Sequence, residues 1–316
     1  MSRIDILLAT YNGARFLPEQ LASLANQTHD DWRLLVRDDG SSDATLDIIR
    51  EWAKGVVQEV EIIEDGRKGL GASMNFAALM EHASAPYFAC CDQDDVWLPH
   101  KLETLLGAAR ESEALHGETH PVLIFGDLFV VDEALAPIAP SYWALSNLDP
   151  DRDAKRLADI MVRNVATGCA TLGNAALLRA ALPVPDGARM HDWWLALAAF
   201  SLGSLVPVQE PTVKYRQHGS NTIGASKATP LAIAKQFFGA PVAALERTER
   251  LLARSQKQAG AFVDRFGDAL SKEDAALLRG YASLADQSWT ARKRFLLEHA
   301  IMRDHPSHRI AMLLLG

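Results

Sequence analysis

Short apolar runs and segments of helical period alternate without a break through the first third of the chain, and that alternation leaves few folds open. Ile4 to Ala9, Asp31 to Val36, Val60 to Ile63 and Tyr87 to Cys91 have the length and residue types of buried strands. Between them, Leu17, Leu21 and Leu24 recur at i, i+4 and i+7 behind Pro18, which suits the first turn of an amphipathic helix. Leu46, Ile49 and Trp52 follow Asp43, a good N-cap, and Phe76, Leu79 and Met80 line the buried side of a third helix. Such an order predicts a mostly parallel sheet covered by helices on both faces.

In sheets of that kind ligands bind beyond the carboxyl ends of the strands, and there the polar clusters fall. They are Thr10-Tyr11-Asn12, Asp38-Asp39-Gly40, the Gly69 region with Asn75 on the helix behind it, and Asp92-Gln93-Asp94. The turn after the first strand is Thr10-Tyr11-Asn12-Gly13-Ala14-Arg15, neither the glycine fingerprint of a dehydrogenase nor a P-loop. A carboxylate after the second strand suits a ribose or a base N–H, and Tyr11 offers a face for stacking. Acids at i and i+2 of an extended segment point to one side, so Asp92 and Asp94 form either a hard-oxygen site for Mg2+ or Mn2+ or an acidic turn. Asp38-Asp39-Gly40 reads equally as a solvated turn.

With 316 residues, 48% of them apolar, the chain can bury one large α/β domain and an accessory region. Its amino terminus has no apolar stretch long enough for a signal peptide or membrane span. The three cysteines, Cys90, Cys91 and Cys169, read as small buried hydrophobes of a reducing compartment, so a cytoplasmic protein is expected. Residues 222–316 hold 14 Lys and Arg against 9 Asp and Glu, whereas residues 1–221 hold 18 against 31. An acidic front and a basic rear suggest two surfaces with different partners.

Four segments together carry a family resemblance. Ala9-Thr10-Tyr11-Asn12-Gly13, Ser23-Leu24-Ala25-Asn26-Gln27-Thr28, Val36-Arg37-Asp38-Asp39-Gly40-Ser41-Ser42-Asp43 and Asp92-Gln93-Asp94-Asp95 resemble the family 2 glycosyltransferases, inverting enzymes of GT-A fold. The match runs to about Gly224. Cys91-Asp92-Gln93-Asp94-Asp95-Val96-Trp97-Leu98-Pro99 and Tyr215-Arg216-Gln217-His218-Gly219-Ser220-Asn221 look most like bacterial rhamnosyltransferases that use dTDP-rhamnose. The resemblance implies that Thr10, Tyr11 and Asp39 hold the nucleotide base and that Asp92 is the ribose-side acid; Asn12, Asn75 and Gln93 are expected to join them in binding the nucleotide. It implies that Asp94 binds the divalent cation. Asp95 is expected to cap the following helix, with Trp97 packed beneath the site.

The middle of the chain is expected to form the acceptor side. Pro121 to Val131 reads as a strand, Tyr142 to Arg152 as an irregular connection over the substrate, and Asn164 to Gly173 as a strand whose small residues, Gly168 and Cys169 among them, let a sugar approach the backbone. Met190-His191-Asp192-Trp193-Trp194 opens a helix. The family places an acid pair there whose Asp is the general base; here His191 stands first, and the base is assigned to Asp192. Read without the family, Asp192 is an N-cap. Trp193 or Trp194 could form a sugar platform. After a last extended segment, Val206 to Lys214, Arg216 could neutralise phosphate, and His218 could ligate the metal, contact phosphate or sit as a surface residue. Gly219 and Gly224 would let this loop close over the donor.

The rear reads as helices. Trp289 to Leu297 combines Arg292, Lys293 and Arg294 with apolar residues, as does a membrane-surface helix or a packed one with solvated cations. The expectation is therefore a GT-A domain over 1–224 and a helical region over 225–316. The function expected is inverting, metal-dependent transfer of a sugar, L-rhamnose from dTDP-rhamnose, to a hydroxyl of a surface polysaccharide or lipid-linked glycan at the inner face of the cell membrane, with no nucleic acid involved. A UDP-hexose donor or a non-catalytic nucleotide-sugar-binding protein are the alternatives. A nucleotidyltransferase would need a Gly-rich basic loop after the first strand.

Overall fold

A computed structural model describes residues 3–219 and 241–301. Strands β1 (Ile4–Thr10), β2 (Trp32–Asp38), β3 (Val60–Ile62) and β4 (Tyr87–Asp92) lie parallel in the order β3-β2-β1-β4. Helices α1 (Leu17–Ala25), α2 (Thr45–Ala53) and α3 (Gly71–His82) connect them. Successive side chains of β4 point to opposite faces, so adjacent Cys90 and Cys91 fall in two different apolar clusters, and both are free thiols. One cluster joins Leu7, Leu35 and Cys90 to α3; the other joins Ile6, Leu8, Val36 and Cys91 to α1.

Beyond β4 the sheet is mixed rather than mostly parallel. Strand β5 (Val96–Trp97) and helix α4 (Lys101–His116) lead to β6 (Val122–Val131), and β7 (Pro137–Ala139) folds back antiparallel on it. Strand β8 (Thr171–Asn174) runs antiparallel to both β4 and β6, whereas β9 (Ser204–Arg216) is parallel to β6 and antiparallel to β5. The connection from β6 to β8 holds only the four-residue helices α5 (Tyr142–Leu145), α6 (Pro150–Asp153) and α7 (Leu157–Ile160), with no long helical crossover to return the chain in the same direction.

The strand expected over Asn164 to Gly173 is confined to its end. Gly168–Ala170 is a 3-10 turn, because side chains take the backbone groups a ladder would need. The Gly168 N–H donates to Asp192 at 2.9 Å, and the Cys169 carbonyl accepts from Lys101 at 2.5 Å. The connection from Tyr142 to Arg152 is likewise ordered in part, with Ser141 and Asp149 accepting at the amino ends of its two short helices.

Helix α8 (Ala175–Ala181) precedes α9 (His191–Leu202), which is buried on nearly every side. Behind α9 pack helices at Pro241–Phe266, Lys272–Ala282 and Trp289–Glu298. The Trp194 ring meets the Phe262 and Phe266 rings at 5.2 and 5.8 Å between centroids, and the Tyr281 hydroxyl lies 2.8 Å from that of Ser255. Phe262, Leu278 and Leu296 belong to the same apolar cluster as α9. The boundary expected at 224/225, with Asn221, Gly224 and the closing run Ile310 to Leu315, lies outside the described residues.

Candidate active site

The carboxyl ends of β1, β2 and β4, the start of α9 and the end of β9 surround a cavity of about 1060 Å³. Thr10, Tyr11, Asn12, Asp39, Asn75, Asp92, Gln93, Asp94, Gly168, Asp192, Trp193 and His218 all border it, so most of the expected site residues converge.

At the β1–β2 end, turn chemistry and ligand-facing groups divide the work. Asp38 makes the turn: it accepts from the Thr10 hydroxyl at 2.9 Å and from the Gly40 and Ser41 N–H groups at 3.0 and 2.7 Å. Asp39 accepts from the Leu70 and Gly71 N–H groups at 2.9 and 2.8 Å, tying the glycine loop to the sheet edge. Asn75 borders the cavity and also braces its rim. It is buried, its amide N–H groups donate to the Thr10 and Arg37 carbonyls, and its oxygen accepts from Arg37 at 2.8 Å, so it ties strand ends together. The Tyr11 ring stands 57% exposed at the cavity, with a face open for stacking.

Gln93 bridges this end to the acidic loop, accepting from the Tyr11 N–H at 2.9 Å and donating to the Tyr11 carbonyl at 3.0 Å. A Cβ on Gly13 would lie 2.2 Å from the Gln93 amide oxygen, so a larger residue there would displace the Gln93 side chain from Tyr11. Next along the loop, Oδ2 of Asp94 lies 2.8 Å from Nε2 of His218, whose ring stacks on Phe16 at 4.6 Å. Burial, with Asp94 and Asp192 close by, pushes the Asp92 carboxyl up to about 7.

Asp192 opens α9, although its carboxylate does more than cap. Oδ2 accepts from the Gly168 N–H at 2.9 Å and Oδ1 from the Trp193 N–H at 2.6 Å. Burial raises it to about 6 against those two bonds, so it is ionised at neutral pH yet more basic than an ordinary carboxylate. A Cβ on Gly168 would approach His191 Nε2 at 3.0 Å and Asp192 Oδ2 at 3.4 Å; the absence of a side chain there is what admits both. The His191 ring stacks on Phe76 at 4.1 Å, and burial holds it near 3, a neutral imidazole.

Four expectations are corrected. Trp193 and Trp194 offer no sugar platform: they are 2% and 0% exposed, and their indole N–H groups donate to the Ile160 and Ala181 carbonyls. Cys169 is sealed beneath the floor rather than facing an acceptor. The buried Arg216 guanidinium, instead of reaching for phosphate, donates to the Asp94 carbonyl at 2.8 Å, to the Glu133 carbonyl at 2.6 Å and to Glu19. Asp95 does not cap α4, which begins after His100 without a side-chain cap. It accepts the Arg216 N–H at 3.0 Å instead, and together these bonds hold the acidic loop against β9. Trp97 is buried in the apolar cluster that also holds Leu102 and Cys169.

Two organising residues escaped sequence reasoning. Arg37 is buried and donates to both Asp65 oxygens at 3.0 Å, to Asn75 and to the Arg67 carbonyl. Lys101 is fully buried, with its amine 3.1 Å from the centroid of Trp97 and lowered by burial to about 8. A cation in the first helical turn opposes the helix dipole, and that was the available signal.

Two arrangements could hold a cation. Asp92, Asp95 and Cys169 have ligand atoms within 4.8 Å of one another, the one such group among the described residues. Asp95 and Cys169 are fully buried, and burial holds the thiol well above its usual range, a poor ligand beside hard oxygens. Asp94 with His218 faces the cavity, offers an oxygen and an imidazole, and stands among carboxylates with excess negative charge. The residues therefore fit Mg2+ or Mn2+ at Asp94 rather than below it.

Residues 5–121 match the family model of Glycosyl transferase family 2. The dTDP-rhamnosyl transferase RfbG of Shigella flexneri is 26% identical over 230 residues, covering 69% of this chain and 74% of that one. S. aureus TarS 1–349 in complex with UDP-GlcNAc superposes at TM-score 0.54 over 98% of this chain and 90% of that chain, with 15% identity. A mannosyltransferase from Pyrobaculum calidifontis in complex with GDP-Man and Mn2+ superposes at 0.51 over 94% and 86%, with 16% identity. The structural likenesses carry the fold.

Proposed function

We propose that this chain, whose residues 5–121 match Glycosyl transferase family 2 on a GT-A fold, transfers a sugar with inversion from a nucleoside diphosphate donor to a hydroxyl of a surface glycan. The observation that carries the reading is one cavity bordered by both Asp94–His218 and Asp192. Tyr11 and Asp39 lie at its nucleotide end, where Tyr11 stacks on the base and Asp39 fixes the loop around it. Asp94 and His218 would hold Mg2+ or Mn2+, which when bound supplies positive charge against the departing diphosphate. Asp192 takes the proton of the acceptor hydroxyl as its oxygen forms the new bond to the anomeric carbon. The bond to the diphosphate breaks on the opposite face, and the electron pair leaves with it. Two N–H bonds and burial hold the Asp192 carboxylate still and out of bulk water, which orients it for that step.

The proposed donor is dTDP-rhamnose, supported by the similarity to a dTDP-rhamnosyl transferase. A UDP sugar is the second reading, favoured by the likeness to TarS in complex with UDP-GlcNAc. Thermal-shift measurements with dTDP, UDP and their sugars, with and without Mn2+, separate the two. Stabilisation by one nucleotide, larger with Mn2+, is expected, and no response to any of them would end the reading. Asp192→Asn should lose transfer while it keeps donor binding, which excludes a mere binding protein.

The helix Trp289–Glu298 is proposed to meet an anionic membrane. In the helix Trp289–Glu298, Leu296 packs inward while Trp289 and Leu297 stand 60% exposed, with Lys293 at 4.8 Å from the Trp289 ring. No helix among the described residues is long and apolar enough to cross a membrane. Flotation with anionic liposomes is expected to carry the protein, and failure to float with or without acceptor lipid would remove this contact.

A further inference from the structure

Among the described residues three arginines border the cavity, and two of them are engaged with protein oxygens. Arg15 pairs with Glu133 at 2.6 Å, and Arg163 donates to the Ser146 and Asn147 carbonyls and to Asp153. Arg189 differs. Its backbone N–H donates to Gln258 at 2.8 Å, which fixes the chain just before α9, but its guanidinium has no hydrogen-bond or ion-pair partner among the described residues. What supports the guanidinium is the Trp193 ring, 5.0 Å away. Burial lowers it from its usual value and nearby Arg254 adds to the shift, while Asp192 and Tyr281 act against it. A half-buried guanidinium with five N–H groups in a fixed fork and no carboxylate is matched by planar or tetrahedral oxyanions.

Its position says which substrate it would meet. Arg189 stands three residues before Asp192 on the same entry to α9 and borders the same cavity. The segment leading to it packs on the helix Pro241–Phe266, for a Cβ at Gly187 would lie 2.9 Å from the Ala261 Cβ. The proposed diphosphate end of the cavity lies at Asp94 and His218, which come from the acidic loop and the segment after β9. We propose that Arg189 forms an anionic subsite for the acceptor, so that the hydroxyl delivered to Asp192 belongs to a molecule carrying phosphate or carboxylate oxygens. The proposal rests on the glycosyltransferase reading above and specifies its acceptor class: a sugar on a lipid diphosphate, or a glycan bearing an acidic sugar.

The test is calorimetric titration of the full chain in EDTA with three probes: farnesyl diphosphate, methyl glucuronide and neutral methyl glucoside. Either anionic probe should bind at least about ten-fold tighter than the glucoside. That preference should disappear in Arg189→Gln, return in part in Arg189→Lys and survive Asp94→Asn, which separates it from the diphosphate end. Binding of the diphosphate alone assigns the lipid carrier, and binding of the glucuronide alone assigns the acidic sugar. Equal binding of all three probes by the wild-type chain, or equal binding by wild type and Arg189→Gln, overturns the proposal. Parallel titrations of dTDP and UDP with Mn2+ report on the donor site; if those fail, the glycosyltransferase reading itself is at fault. Retention of nucleotide binding by Arg189→Gln shows that the variant is folded.

Discussion

Oδ2 of Asp94 lies 2.8 Å from Nε2 of His218, although 124 residues separate them in sequence. The pair joins the end of the acidic loop to the segment after β9, and the Phe16 ring stacked on the histidine fixes its plane. If the pair is the cation site, Asp94→Asn and His218→Ala should each weaken Mn2+-dependent nucleotide binding by about 10–100-fold. Binding in EDTA should be unchanged. Titrations of nucleotide with and without Mn2+ read this directly, and equal losses in both conditions would count against a metal role.

Asp192→Asn should lower kcat by about 10²–10⁴-fold and leave nucleotide affinity within about two-fold, since Asp192 is proposed to act on the acceptor hydroxyl rather than on the nucleotide. Because its carboxyl is raised to about 6, the wild-type rate should climb with pH through that region as the base loses its proton. The residual rate of the variant should lack that rise. A pH profile of single turnovers makes the comparison, and an unchanged rising limb in the variant would acquit Asp192.

Asp92 and Asp192 also set a pH dependence of stability. Both are raised in the folded chain, to about 7 and about 6, so between pH 4 and pH 7 the folded state keeps protons that the unfolded state releases. Metal-free stability should therefore fall as pH rises through that window. Asp92→Asn should remove part of the fall and raise Tm at neutral pH by about 2–4 °C. Urea unfolding at several pH values in EDTA tests it; identical slopes for wild type and variant would contradict the burial argument.

Lys101 is the buried cation below the acidic loop, 2.5 Å from the Cys169 carbonyl and over the Trp97 ring. Lys101→Met preserves the length of the stem but leaves the carboxyls above it without that charge. A loss of about 2–4 kcal/mol is expected in denaturant unfolding. A change below about 0.5 kcal/mol, the range of an ordinary surface substitution, would mean the amine is dispensable.

Arg216→Lys should cost about 1–3 kcal/mol, because a lysine cannot donate at once to the Asp94 carbonyl, the Glu133 carbonyl and Glu19. Metal-dependent nucleotide binding should weaken in parallel as the loop loosens. Nucleotide binding that stays intact despite the loss of stability would show that the loop is held without this clamp.

Local pattern determined much of this protein. The four leading strands, the helices between them and the polar turns at the strands' carboxyl ends were legible because side-chain period and turn chemistry are properties of neighbouring residues. The convergence of Thr10, Asp39, Asp92 and Asp94 followed, since parallel strands bring their carboxyl ends to one edge. Only the tertiary structure decided what the rest of the polar and aromatic residues do. Trp193 and Trp194 turned inward because α9 is covered on nearly every side, partly by helices that come after it in the chain. Gly168 and Cys169 left the ladder because Asp192 and Lys101 reached their backbone from 24 and 68 residues away. Arg216 became a clamp because β9 inserts beside β6 and brings it against the acidic loop. A buried polar group must find a partner, and which partner it finds depends on strand order and packing, which no local window of sequence contains.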